Sequence, residues 1–172
     1  MMKRIVIFLV LAATACSADS PLPAAATDTP TADVCNLIAN GDFANGDDGW
    51  SLGDNACVVG GECRMRLSVT PYRETWNDMC RRSVAVRPAT RYRLTACGRM
   101  SLYPVSNGLY IGVRMPDGTV LRDRLVLLAR DNMTPMCVEF DSGDNTNLTV
   151  FCGAWCDRDA VFYADDFRLT EI

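Results

Sequence analysis

Few residue types in this 172-residue chain can do chemistry, because histidine is absent and Lys3 is the single lysine. Every other basic side chain is an arginine. His-based triads, His zinc sites, Schiff-base lysines and the phosphate-binding P-loop are excluded on that ground. A pair of acids for glycoside hydrolysis would have to come from Glu74, Asp78 and Glu139, and their spacing singles out no two of them, so no catalysis is expected. What remains is a set of flat rings beside planar polar groups: Tyr72, Arg73, Trp76 and Asn77 in one segment, and Tyr110 with Arg114 further on. Such a set suits a sugar ring, which offers an apolar face of C–H groups and an equatorial rim of hydroxyls. Trp155, between two cysteines, is equally suited to packing on sulfur and to touching a ligand, and Trp50 is expected in the core.

The N-terminus accounts for one of the nine cysteines. Lys3-Arg4, the apolar run Ile5 to Ala13 and the small residues that follow have the pattern of an export signal, too short to span a bilayer comfortably. Leu11-Ala12-Ala13-Thr14-Ala15-Cys16 also looks like a bacterial lipobox, in which Cys16 is acylated and becomes the mature N-terminus, while Ala13-Thr14-Ala15 fits ordinary cleavage after Ala15. Lipidation is the expected outcome, several acyl chains holding an exported protein to the membrane of a bacterial cell envelope, at the outer membrane or cell surface. Cys35, Cys57, Cys63, Cys80, Cys97, Cys137, Cys152 and Cys156 are then left, an even number in an oxidising compartment, so disulfides are expected over a four-thiolate zinc site. Cys57 and Cys63 flank Gly60-Gly61 and are expected to pair locally, while the remaining connectivity stays open. Without Lys3 and Arg4 the chain carries 15 arginines against 21 acids, about −6, which does not suit nucleic acid; Arg81-Arg82 and Arg122 with Arg124 read as solvated strand faces.

The elements that must position these residues begin after a spacer. Residues 17 to 34 are Ser, Ala, Pro, Thr and Asp with almost no large apolar side chain, so the chain divides into an export signal (1–15), a lipidated Cys and flexible tether (16–34), and one folded domain (35–172). In Asn36 to Trp50, Leu37 and Ile38 can pair into a sheet, Asn40-Gly41 breaks the strand, and Phe43 returns to the core. Alternation at the other end puts Val161, Tyr163, Phe167 and Leu169 on one face, and the first and last strands are expected to lie together. Between them, Met65, Leu67 and Val69, then Tyr92, Leu94 and Ala96, then Leu109, Ile111, Val113 and Met115 alternate as half-buried strands, which points Tyr110 and Arg114 away from the core. Further strands are expected over 80–86, 136–140 and 148–152, with loops over 71–78 and 153–158; Leu121 to Ala129 suits a buried strand or a short helical turn. Many short strands without a long 3.6-residue period predict an all-β antiparallel sandwich.

The opening Asn36-Leu37-Ile38-Ala39-Asn40-Gly41-Asp42-Phe43, with Gly49-Trp50, and the closing Phe162-Tyr163-Ala164-Asp165-Asp166-Phe167-Arg168-Leu169 together resemble the carbohydrate-binding modules of families four, nine and twenty-two. Those are jelly-roll-like, galactose-binding-domain-like β-sandwiches, and the resemblance spans nearly the whole domain. Val69-Thr70 and Trp76 are similar to the family's Val-Thr-x-Arg-x-x-x-Trp-x-Gly loop, although Arg73 comes one residue later relative to Trp76, and Asn77-Asp78 stands where Asn or Asp followed by Gly is usual. The resemblance implies non-catalytic binding of a polysaccharide or glycan by a monomer, with Trp76, Tyr72, Arg73 and Asn77 in the binding loop and Tyr110 and Arg114 extending the cleft. It also implies a structural calcium at Asp165, but the family's Glu after Gly-Asp-Phe is Ala44 here, so Asp42 or backbone carbonyls would have to complete the site. A disulfide-stabilised envelope module that binds proteins and has no sugar site is the alternative.

Overall fold

The structure, a computed structural model, describes residues 35–68, 75–101, 108–156 and 159–172, without the side chains of Thr75 and Trp76. The export signal, Cys16, the tether, Tyr72 and Arg73 lie outside the described residues. The described strands are β1 (Ser51–Leu52), β2 (Ala56–Val59), β3 (Glu62–Leu67), β4 (Thr75–Ala85), β5 (Arg91–Ser101), β6 (Gly108–Arg114), β7 (Val120–Leu127), β8 (Thr134–Asp141), β9 (Asn147–Cys156) and β10 (Ala160–Glu171). They form two five-stranded sheets, ordered β1-β4-β9-β6-β7 and β2-β3-β10-β5-β8, with every strand pair antiparallel. Alternation is why these segments are strands. Leu109, Ile111 and Val113 of β6 and Leu148, Val150 and Cys152 of β9 form one core with Met65, Tyr92, Leu94 and Phe162 of the other sheet, all at most 1% exposed.

The two ends of the domain meet, though not by strand pairing. Leu37 N–H donates to the Leu169 carbonyl and Phe167 N–H to the Gly41 carbonyl (both 2.9 Å), and one side chain adds three further bonds. Asn36 Oδ1 accepts from Ile38 N–H (3.0 Å) and Leu169 N–H (2.9 Å), and its Nδ2 donates to the Phe167 carbonyl (3.2 Å). Asn36 thus stands in for the ladder that Leu37 and Ile38 were expected to form. Phe43 and Trp50 fold back onto Phe167, with ring centroids 6.0 and 4.9 Å away, which makes Trp50 a core residue.

In β10 the expected face is half right. Phe167 and Leu169 are buried, but so are Phe162 and Ala164, while Val161 and Tyr163 turn outward. A bulge between Asp165 and Arg168, with Asp166 at φ 56°, inserts one residue and reverses the parity of the strand. Two expected loops are also strand. Thr75 pairs with Cys156, Trp76 with Trp155, Asn77 with Ala154 and Asp78 with Gly153, so each segment supplies the hydrogen-bonding groups the other needs. Val120–Leu127 is an edge strand and not a helical turn.

The local disulfide is not formed. The β2–β3 hairpin turns at Gly60 and Gly61 (φ 65° and 81°), and its register sets Cys57 opposite Arg64 and Val58 opposite Cys63. Cys57 therefore lies on the outer face, where Arg64 Nη2 reaches its sulfur (3.6 Å), while Cys63 is buried in the core. Among the described residues no two cysteine sulfurs stand at disulfide distance. Cys63 of one sheet and Cys152 of the other both contact the Cys80 thiol, and burial pushes that thiol well above its ordinary pKa.

Asn36→Ala leaves two N–H groups and a carbonyl without their partner at the junction. A loss of roughly 2–3 kcal/mol is expected, read as a lower urea midpoint at unchanged m-value.

Candidate functional site

The outer face of the sheet β1-β4-β9-β6-β7 carries a repeated pairing. On the central strands β9 and β6, Phe151 stands opposite Gly112, Tyr110 opposite Gly153, and Trp155 opposite Gly108. Paired residues share a face, and the intervening Leu109, Ile111, Cys152 and Ala154 are buried in the core, so all three rings belong to the outer face. Each ring has a bare backbone across from it. At Gly112 the fit is close enough that a Cβ would stand 2.8 Å from Phe151 Cζ and 2.5 Å from the Arg122 carbonyl oxygen. Phe151 is almost fully buried there, while Tyr110 and Trp155 remain half-buried.

Arg114 and Asp78 brace this face. The Arg114 guanidinium lies 4.3 Å from the Phe151 ring centroid, and its Nη2 donates to Asp78 Oδ1 (3.1 Å). Arg81 approaches the other carboxylate oxygen at 3.7 Å. Arg114, expected to extend the cleft with Tyr110, therefore also fixes Phe151 and Asp78 in place.

The structure brings Tyr110 and Arg114 together on this face. Asn77 it sets apart, because its register partner Ala154 points into the core. Asn77 lines a cleft of about 370 Å³ at the β1 edge, with Asp54, Asn55, Asp78 and Arg81 among its neighbours. Trp76 pairs with Trp155 in register, and its side chain lies outside the described residues, as do Tyr72 and Arg73 entirely. Phe151 and the glycines opposite the rings were missed by sequence reasoning. Alternation with Val150 and Cys152 marks Phe151 as outward-facing, but only the β6–β9 register shows that rings and glycines coincide. Asp78 and Glu139 stand on different sheets, each in ion pairs with arginine, so these two form no acid pair in one cleft.

At the opposite sheet, Asp165 and Asp42 are neighbours in an acidic setting. Burial pushes the Asp165 carboxyl up to about 6, with the charges of Asp166, Glu62 and Asp42 adding to it against the Asp166 N–H that donates to its Oδ1 (2.7 Å). Asp42 Oδ1 accepts from Ala44 N–H (3.3 Å), at the residue that replaces the expected glutamate. Among the described residues no three His, Cys, Asp or Glu side chains form a group able to hold a metal.

The pH consequence of Asp165 has a definite sign. Its folded-state pKa lies above the ordinary value of 3.8, so the folded protein binds the proton more tightly than the unfolded chain. Its ionisation costs stability above about pH 6, and the cost fades as pH falls toward 3.8. Asp165→Asn is expected to raise Tm by about 2–4 °C at pH 8 and to leave it unchanged at pH 3.5, measured by calorimetry.

No family model matches the chain, and no curated protein does. Solved structures do resemble it. A family 61 carbohydrate-binding module in complex with β-1,4-galactotriose is similar with a TM-score of 0.62 and 16% identity, over 80% of this chain and 99% of that one. A family 16 carbohydrate-binding module is similar with a TM-score of 0.57 and 23% identity, over 79% of this chain and 100% of that one. The tandem family 22 modules from Paenibacillus barcinonensis Xyn10C give a TM-score of 0.56 and 13% identity, over 81% of this chain and 46% of theirs. The antiparallel jelly-roll-like β-sandwich of this chain is thus a fold it shares with these three structures.

Proposed function

We propose that the domain over residues 35–172 binds a polysaccharide or glycan without catalysis, on the outer face of the sheet β1-β4-β9-β6-β7. The observation that carries the reading is the set of ring–glycine pairs, Tyr110 with Gly153 and Trp155 with Gly108, beside the braced Asp78 and Arg114. Glycine at these positions lets the neighbouring strand and side chains approach closely, Val126 carbonyl oxygen and Leu125 Cδ1 lying where a Cβ of Gly108 would be, and the half-buried rings supply an apolar platform for sugar C–H groups. Asp78 and Arg114 hold each other in one geometry, so their remaining donors and acceptors meet hydroxyls with little ordering cost. The carbohydrate-binding modules that share the fold support the same reading.

The exported chain is anchored to the bacterial cell envelope by lipid on Cys16, in the Leu11 to Cys16 segment that looks like a lipobox. The tether of residues 17–34 sets the binding face off from the membrane by a coil on the order of 25 Å.

Affinity electrophoresis through gels loaded with neutral polysaccharides tests the site. Retardation by at least one of them is expected, with Trp155→Ala and Tyr110→Ala each weakening it by about tenfold or more. No retardation in any gel, with co-purification of a protein partner instead, would favour the protein-interaction module. Intact mass of the membrane fraction tests the anchor: a mature N-terminus at acylated Cys16 is expected, and an unmodified Cys16 excludes it.

A further inference from the structure

The flank where edge strands β7 and β8 run beside each other carries a cleft that the reading above leaves unused. Register sets Arg122 opposite Val113 and Arg124 opposite Ile111, both 0% exposed, so these arginines belong to the inner side of their sheet. On an edge strand such side chains overhang the margin of the sandwich, and both are exposed. Together with Arg91, Asp123 and Glu139 they line a cleft of about 310 Å³, room enough for a sugar residue.

Arg122, Arg124 and Asp123 line this cleft without an ion pair among the described residues, two positive charges against one negative. Glu139 is held by Arg91 (2.9 Å) and by Arg93 (2.7 Å), whose hydrogen bond keeps its carboxyl below the ordinary range. Among the described residues neither Arg122 nor Arg124 forms an ion pair, in a chain whose net charge is −4. No backbone hydrogen bond joins β7 to β8 among the described residues, so the margins of both strands present amides and carbonyls to the cleft. Guanidiniums recognise planar oxyanions in bidentate fashion, and strand margins recognise hydroxyls.

We infer that the β7–β8 flank is a second saccharide subsite, in which Arg122 and Arg124 take the acidic group of an anionic glycan, a uronate carboxylate or a sulfate ester. The inference rests on the glycan-binding reading and extends it to a substrate class. It separates two roles: the aromatic face takes the neutral surface of the polymer, and the flank takes its charge.

Affinity electrophoresis of the full chain in polygalacturonate, dextran sulfate, uncharged dextran and poly-L-glutamate tests it. Retardation in polygalacturonate or dextran sulfate is expected, the responding gel naming carboxylate or sulfate as the group. Arg122→Gln/Arg124→Gln should reduce it about tenfold and leave any neutral-glycan binding unchanged. Glu139→Gln, which frees Arg91 and Arg93, should strengthen retardation, a direction that misfolding does not produce. Raising salt from 20 to 200 mM should weaken it, since the arginines are exposed.

Unchanged retardation in the double variant overturns the inference, and so does equal retardation by poly-L-glutamate, which would mean charge alone. Neutral binding through Tyr110 and Trp155 without any acidic binding sinks this subsite and spares the aromatic face. Failure of every polysaccharide sinks both.

Discussion

The fold depends on a junction in which one amide side chain makes three of the hydrogen bonds. Asn36 satisfies two backbone donors and one acceptor where the first described residues reach β10, and it does so beside the bulge that reverses that strand. The β10–β5 ladder resumes beyond the bulge, but at the bulge the inserted residue leaves backbone groups out of step. An Asn, with donor and acceptor on one short stem, bridges the mismatch that Leu37 and Ile38 alone would leave unsatisfied. Gly41 completes the closure. A Cβ there would stand 2.1 Å from the Phe167 carbonyl oxygen, and only its absence lets the Gly41 carbonyl accept from Phe167 N–H (2.9 Å). Phe43 and Trp50 then pack on Phe167 and seal that end of the core.

The bulge also decides which side chains reach solvent. Because β10 changes parity at Asp165–Arg168, Tyr163 turns outward and lies under the Arg99 guanidinium, 3.7 Å from its ring centroid, while Arg99 binds Glu62. The outer face of that sheet is thus tied up in arginine-centred contacts. On the other sheet, the extension of β4 and β9 through 75–78 and 153–156 carries Asp78 and Trp155 onto a rigid ladder. Residues on strands hold a ligand-binding geometry more firmly than the same residues in loops.

With a single lysine at residue 3 and no histidine, arginine does all the cationic work of the folded domain. Arg114 joins a ring to a carboxylate, Arg99 does the same on the opposite sheet, and Arg91 and Arg93 share Glu139. A guanidinium suits this because its flat, delocalised charge stacks on a ring while its edge binds oxygen, which a lysine ammonium cannot do at once. Arg122 and Arg124 differ in having neither contact among the described residues, and on the β7–β8 flank they stand two to one against Asp123.

By itself the sequence determined the class of fold, because strand burial has a period of two that shows in any segment read alone. Tyr92, Leu94, Ala96, Leu109, Ile111 and Val113 are buried as their alternation requires, and Tyr110 and Arg114 face outward for the same reason. It also supplied the approach of the two ends, through the apolar and turn residues of Asn36 to Trp50 and the closing strand. Only the tertiary structure decided what depends on one strand's position against another. The pairing of 75–78 with 153–156 made strand of two stretches that look like loops, the hairpin register put Cys57 and Cys63 on opposite faces, and the bulge moved Tyr163. The coincidence of Phe151, Tyr110 and Trp155 with Gly112, Gly153 and Gly108 is likewise a matter of register between segments some forty residues apart. Local periodicity sets the face a residue occupies, and non-local hydrogen bonding sets its neighbours; a binding surface is made of neighbours.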